Sequence, residues 1–388
     1  MIITGITAEF DPLHNGHVYL MEKARALTGC DALVVAMSGD YVQRGGPAVI
    51  DKWARTEAAL RSGADLVIEI PVLFCLGNAS HYASSSVRLL EECGCSHIAF
   101  GSESGNIDQL GKAAEIISEH RGVIEERIRS LAEEGLSWPA ARARAFRELN
   151  GFEIPDSPND ILALEYVMNM KNVVPIAVLR DNRHDSASVI RERMQESRDD
   201  IQKTGGIISG SVPEASADVL EKSARTFPNE WTMILRYAVM SSCADDLEDC
   251  PSGGEGLGNL LVKAAASEKS FEDIIAAVKS KRYTYTRISR LCMQAILGLT
   301  RTKYPYEAPE YIRVLGFTEK GRMLLSDIKD SESRSLPVIT NINKESGLLS
   351  DWALRMLELD VHAADIYNLV TGRDSAQFSD HIRKPVMI

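Results

Sequence analysis

Thr7–Leu20, TAEFDPLHNGHVYL, is the stretch whose reading decides the fold. Ile2–Phe10 before it has the apolar character of a strand, and Val18–Leu27 after it has the period of a helix ended by Gly29. A loop between a first strand and a first helix is where parallel α/β sheets bind phosphate, at the strand's carboxyl end and the helix N-terminus. Thr7, Ala8, Glu9, Phe10, Asp11, Pro12 and Leu13 lead into His14, Asn15, Gly16 and His17, and Val18, Tyr19 and Leu20 open the helix. Asn15 and Gly16 suit a tight turn close to a ligand. His14 and His17, three apart, can face one site. Imidazole N–H groups donating to phosphate oxygens would stabilise charge developing at an α-phosphate. The same pattern also fits a capped helix start with two surface histidines.

Outward from this loop, strands and helices alternate. Ala32–Met37, Leu66–Ile70, His97–Phe100 and Val173–Leu179 read as further strands. Asp51–Arg61 and Ser84–Cys93 read as helices, as do Ile107–Asn150 and Asp160–Met170. This order predicts a doubly wound parallel sheet, a Rossmann-like nucleotide-binding unit over residues 1–204. The Gly- and Ser-rich stretch 205–216 reads as a linker, and 217–388 as a mainly helical second unit. Its helices are expected at Ala217–Thr226, Trp231–Met240, Leu257–Ala266, Phe271–Val278, Ile288–Leu299 and Trp352–Leu359, with Asp245–Gly258 as a surface loop.

Composition narrows the class. The 388 residues are 45% hydrophobic and 25% charged, ordinary for a soluble globular chain long enough for two or three domains. No apolar run approaches a membrane span and no signal peptide opens the chain, so a cytoplasmic location is expected, with neither membrane nor DNA as partner. The seven scattered cysteines suggest buried free thiols rather than a disulfide framework or a metal site. A net charge of −12 argues against a general polyanion coat.

The loop resembles the H-x-G-H signature of the nucleotidyltransferase superfamily. Asp185–Met194, DSASVIRERM, resembles the superfamily's second signature, a Ser/Thr-rich stretch ending in Arg. Ser186, Ser188 and Arg191 there suit β- and γ-phosphates, and equally suit an N-capped surface helix. Longer stretches are more specific. MSGDYVQRGGPAVIDKWARTEAAL (Met37–Leu60), ADLVIEIP (Ala64–Pro71), FGSES (Phe100–Ser104), PNDILALEY (Pro158–Tyr166), YTYTRISR (Tyr283–Arg290) and VLGFTEKG (Val314–Gly321) are similar to the bacterial tRNA(Met) cytidine acetate ligase family. That resemblance implies an ATP-dependent reaction. Acetate would attack the ATP α-phosphate to form acetyl-adenylate, and the acetyl group would pass to the exocyclic amine of the wobble cytidine of elongator tRNA(Met). It implies ATP contacts from Thr7–Leu20, Gly101, Asn159 and Arg180. On local grounds, Gly101 also fits an ordinary strand-end glycine, Asn159 a helix N-cap and Arg180 an exposed strand end. Only four residues, DNRH, separate Arg180 from Asp185, fewer than in the family pattern, which bears on His184 and Asp185.

Gln43, Arg44, Lys52 and Arg55 form a second tier. Lys52 and Arg55, one helical turn apart, could present two charges to one phosphate or lie on a solvated face. Magnesium is expected with ATP, with Asp11, Asp40 and Glu103 as possible helpers but no carboxylate cage. The RNA-binding candidates lie in Ile274–Tyr306, which carries a charge of +7 over 33 residues with no acid and four interleaved tyrosines. Lys281, Arg282, Tyr283, Arg287 and Arg290 are the named contacts, since cations hold phosphates and tyrosines stack on unpaired bases. A basic helix face with core tyrosines is the alternative. Two other functions share part of this pattern, a small-metabolite adenylyl- or cytidylyltransferase and a non-catalytic tRNA-binding protein. No KMSKS-like loop supports an aminoacyl-tRNA synthetase.

Overall fold

Strands β1 (Ile3–Ala8) and β2 (Ala32–Ser38) pair in parallel, with Ile3 opposite Ala32 and Ala8 opposite Met37. All seven residues of β2 are buried, as befits a strand covered on both faces. A two-stranded hairpin follows, β3 (Tyr41–Val42) with β4 (Gly46–Pro47). Strands β5 (Leu66–Ile70), β6 (His97–Ser102) and β7 (Val174–Leu179) complete the parallel set in the spatial order β5-β2-β1-β6-β7. That order reverses direction between β1 and β6, the switch point where ligands bind at the strands' carboxyl ends. The computed structural model describes residues 1–136, 138–150, 154, 157–197, 206, 208, 210–331 and 334–388.

The fold is the α/β sheet with a helical C-terminal region that the periodicity predicts, with one addition. The chain returns to the sheet: β8 (Ile312–Phe317) lies antiparallel beside β5, and β9 (Val338–Ile339) and β10 (Val386–Met387) pair with β8. Among the described residues the sheet therefore has eight strands, three of them from the region expected to be mainly helical. Helices cover both faces. One core contains Ile6, Val35 and Val67 with Met21, Leu60, Ile190 and Leu220. The other contains Val34, Ile68 and Phe100 with Val87, Leu164, Leu291 and Met356.

Helix starts follow their caps. The first helix runs Asn15–Thr28, earlier than its apolar period alone suggests, because His14 caps it. The second runs Lys52–Arg61, with Asp51 outside it accepting from the Trp53 and Ala54 amides. The acidic stretch expected to be loop contains a short helix, Ala244–Asp249, capped by Cys243. The helix expected at Trp352–Leu359 extends over Asp351–Val370. It packs back on the N-terminal half, where Tyr41 donates to the Ala363 carbonyl at 3.1 Å and Tyr367 to that of Ala48 at 2.8 Å. Residues 205, 207 and 209 of the expected linker lie outside the described residues. All seven cysteines are free, and no described helix is long and apolar enough to cross a membrane.

Candidate functional site

The two histidines of the loop cap the first helix together. Gly16 N–H donates to His14 Nδ1 at 3.0 Å, and His14 N–H donates to His17 Nδ1 at 3.3 Å, a capping box built from imidazoles. Gly16 lets the ring sit against the backbone, because a Cβ there would stand 2.8 Å from His14 Cε1 and push the capping ring aside. The rings stack with centroids 3.8 Å apart, and Phe10 meets His17 edge-on at 5.0 Å. An acceptor at Nδ1 places the hydrogen of a neutral ring on Nε2. Burial, and next the charge of Arg180, lower the His14 pKa to about 4; burial, His14 and Arg180 lower that of His17 well below its ordinary value. Both rings are therefore neutral near pH 7, and among the described residues neither Nε2–H has a hydrogen-bond partner.

The remaining loop residues divide by role. Ala8, Phe10, Pro12 and Leu13 are buried and shape the turn, and Phe10 adopts a φ of 49°. Val18, Tyr19 and Leu20 lie half-buried along the first helix. Asp11 accepts from the Val49 amide at 2.7 Å, and its carbonyl accepts from Arg191 Nη1 at 2.6 Å. The expected linker braces the loop: Asn15 N–H donates to Ser211 O at 3.0 Å, Asn15 Nδ2 to Gly210 O at 2.6 Å, and Ser216 Oγ to Leu13 O at 2.8 Å. Sequence reading missed these braces because Gly and Ser signal only a flexible connection.

Glu103 gathers three candidates. Its Oε1 accepts from Asn159 Nδ2 at 2.5 Å and lies 3.5 Å from Arg180 Nη1, and Gly101 stands beside the Arg180 stem. Its Oε2 accepts from Ser157 Oγ at 3.0 Å and the Asp160 amide at 3.2 Å. Asp160 in return accepts from Ser102 Oγ and, at 3.1 Å each, from the Glu103 and Ser104 amides. The FGSES and PNDIL stretches are thus one structural unit. The cap of the Pro158–Asn169 helix is Ser157, so Asn159 is not the N-cap its local pattern suggested. Ser186 does cap its helix, Ala187–Glu196, accepting from Val189 N–H and touching Ser188 Oγ at 3.1 Å. Arg191, on that helix, reaches Asp11.

Lys52 and Arg55 do not present themselves to a common anion. Lys52 is 1% exposed, and its Nζ donates to Glu69 at 2.7 Å and Asp380 at 2.6 Å. Arg55 is fully buried and donates to the carbonyls of Ile50, Glu9, Ser38 and Gly39. Arg55 closes the interior beside the loop through the Glu9 carbonyl, and Lys52 is held by carboxylates from β5 and from residue 380. Asp40, suggested as a metal helper, accepts from the Lys52 amide at 2.7 Å. Among the described residues no three His, Cys, Asp or Glu side chains form a metal cluster.

The basic segment is less open than its composition implies. Tyr283 is buried and donates to Glu255 O at 2.6 Å. Arg282 and Arg287 both reach Glu255 Oε2, at 3.0 and 3.3 Å, and Arg287 also donates to the Ser252 and Gly253 carbonyls. Arg290 faces inward, donating to the Gln43 carbonyl at 3.3 Å. Lys279, Lys281, Arg301 and Lys303 remain exposed.

Known proteins resemble this chain in sequence and fold. Residues 1–381 match the family model described as HIGH Nucleotidyl Transferase. The chain is 33% identical to the tRNA(Met) cytidine acetate ligase of Clostridium novyi (strain NT) over the whole of both chains. It is 34% identical to the protein of that name from Bacillus subtilis (strain 168), covering 95% of this chain and 92% of the relative. The crystal structure of Thermotoga maritima TmcAL bound with alpha-thio ATP has a TM-score of 0.89 to this fold at 30% identity, with both chains fully covered.

Proposed function

This chain belongs to the HIGH nucleotidyl transferase family, among the tRNA(Met) cytidine acetate ligases, and on that premise we propose its reaction. The protein binds ATP and acetate. An acetate oxygen attacks the α-phosphorus, the bond to the β-phosphate oxygen breaks, and pyrophosphate leaves. The exocyclic amine of the wobble cytidine of elongator tRNA(Met) then attacks the acetyl carbonyl. AMP leaves, the amine loses a proton, and N4-acetylcytidine results.

One observation carries this reading: two stacked neutral imidazoles at the switch point of the sheet, each with Nε2–H available. Neutral donors of fixed orientation suit a developing phosphoryl charge without reorganising. Arg180 adds a formal charge from the end of β7, Asn159 shares its Glu103 partner, and Gly101 stands beside its stem. The relative from Thermotoga maritima, bound with alpha-thio ATP, supports ATP as the nucleotide here. Magnesium would arrive with the nucleotide and neutralise its phosphates. Asp11, Asp40 and Glu103 are already engaged, so they do not fit a resident ion.

Incubation with ATP, labelled acetate and tRNA, followed by digestion of the RNA, tests the proposal. Labelled N4-acetylcytidine is expected. Label appearing in a small metabolite would indicate the metabolite transferase, and tRNA binding without any product would indicate the non-catalytic reading.

A further inference from the structure

The hairpin Tyr41–Pro47 stands between the basic segment and the histidine loop and touches both. Its turn closes with the Gly45 amide donating to the Val42 carbonyl at 2.9 Å. On one side it is fixed to the helix Tyr285–Ile296. Ser289 Oγ donates to Gly45 O at 2.5 Å, and Arg290 Nη1 donates to Gln43 O at 3.3 Å. There is no slack in this contact: Gly45 has a φ of 90°, and a Cβ on it would stand 2.3 Å from Arg290 N. On the other side the hairpin is fixed to the loop after β1. Gln43 N–H donates to Glu9 Oε1 at 2.8 Å, and Arg44 lies 3.9 Å from Glu9 Oε2. Arg55 donates to the Glu9 carbonyl as well, at 2.7 Å. The Gln43 backbone is therefore held by the helix through its carbonyl and by the loop through its amide.

We propose that this hairpin is the coupling arm between the RNA site and the nucleotide site, and that Arg290 is a positioning residue for the adenylation loop rather than an RNA contact. The inference rests on the proposed reaction with ATP and tRNA. The helix holding Arg290 also carries Arg287, whose guanidinium is tied to the Ser252–Glu255 turn. RNA phosphates competing for Arg287 shift the helix against that turn. Arg290 and Ser289 pass the shift to the hairpin, and Gln43 passes it to Glu9, five residues before His14. The two states differ in whether Arg290 holds the Gln43 carbonyl. Linkage requires the effect to run both ways, with nucleotide altering RNA affinity by the same factor.

The test measures affinity for a non-hydrolysable ATP analogue with and without a tRNA(Met) transcript, and the converse. In the unaltered protein each ligand is expected to change the other's affinity by about tenfold, within the range usual for coupled sites. Arg290→Gln is expected to bring both factors to about one, while its nucleotide-free tRNA affinity stays within about twofold. Arg290→Lys, which can still reach a carbonyl, is expected to restore part of the coupling. Ser289→Ala removes one uncharged contact and supplies the readout should Arg290→Gln not fold; its factor is expected to fall to about threefold. Full coupling retained in both Arg290→Gln and Ser289→Ala would overturn the proposal. So would a tenfold loss of tRNA affinity in nucleotide-free Arg290→Gln, or absence of coupling in the unaltered protein. A protein that shows coupled binding but forms no N4-acetylcytidine would refute the reaction and leave the arm standing.

Discussion

The histidine loop and the basic segment are the two stretches proposed to meet ligands, and the fold treats their polar groups differently. In the loop, the Nδ1 atoms of the histidines are committed to the helix cap, and among the described residues their Nε2–H groups have no protein partner. In the basic segment, the guanidinium groups are themselves committed, with Glu255 drawing in Arg282 and Arg287 and Arg290 turned to the hairpin, while Lys279, Lys281 and Lys303 stay exposed. A capping box satisfies backbone groups with one end of a side chain and frees the other. A guanidinium has a fork of donors and finds carbonyls wherever the local fold offers them. The loop is thus prepared before its ligand arrives, whereas the arginines of the segment must exchange protein partners for RNA.

The largest expected effect breaks the prepared side of this comparison. His17→Ala is expected to lower acetate-dependent ATP–pyrophosphate exchange by about 10²–10³-fold, the usual cost of one transition-state donor, with tRNA affinity nearly unchanged in filter binding. An equal loss in both would mean the loop is not specific to the nucleotide. Arg180→Ala is expected to raise the KM for ATP by about tenfold, one charge-assisted hydrogen bond's worth. An unchanged KM would leave Arg180 as a partner of Glu103 only.

The neutral histidines also set a pH dependence. The folded His14 value, about 4, lies below the ordinary 6.5, so the unfolded chain takes the proton first as pH falls. Its contribution to stability is fully present above 6.5 and is lost as pH falls through about 4. The exchange rate should therefore show no histidine inflection between pH 8 and 6. Denaturation midpoints of the unaltered protein and His14→Asn should converge toward pH 4. An inflection near 6.5 would show that the rings are solvated.

The smallest effects belong to the segment. Arg287→Ala is expected to weaken tRNA binding about threefold and reduce the salt slope by about one, while sparing adenylate formation. Glu255→Gln, which removes the carboxylate charge that both arginines reach, should tighten binding about twofold. Tighter binding would show that the protein's own acid competes with RNA, and weaker binding that Glu255 positions the arginines productively.

Much of the first half was legible because its signals are local. Apolar runs, turn residues and caps mark five strands and their helices within a few residues of where they fold. His14 and His17 fall together because three residues on a helix start face one way. Other features depend on partners remote in sequence. IRVLGF at Ile312–Phe317 is a short apolar run of ambiguous period, and only its antiparallel neighbour β5, more than 240 residues earlier, makes it a strand. Lys52 and Arg55 have the spacing of an anion site on any helical wheel. The Asp380 and Glu69 carboxylates that close on Lys52 come from the chain's far end and from β5.

The amino-acid order by itself determined the parallel α/β unit, the position of its histidine loop and the excess of cations late in the chain, since each follows from short-range period, turn chemistry or charge count. The tertiary structure alone decided which of those polar groups remain free. Burial removes water from a polar group, and the group must then pair with whatever the fold brings near it. Among the described residues that pairing left the Nε2–H groups of His14 and His17 without a partner and turned Lys52, Arg55 and Arg290 toward the protein itself.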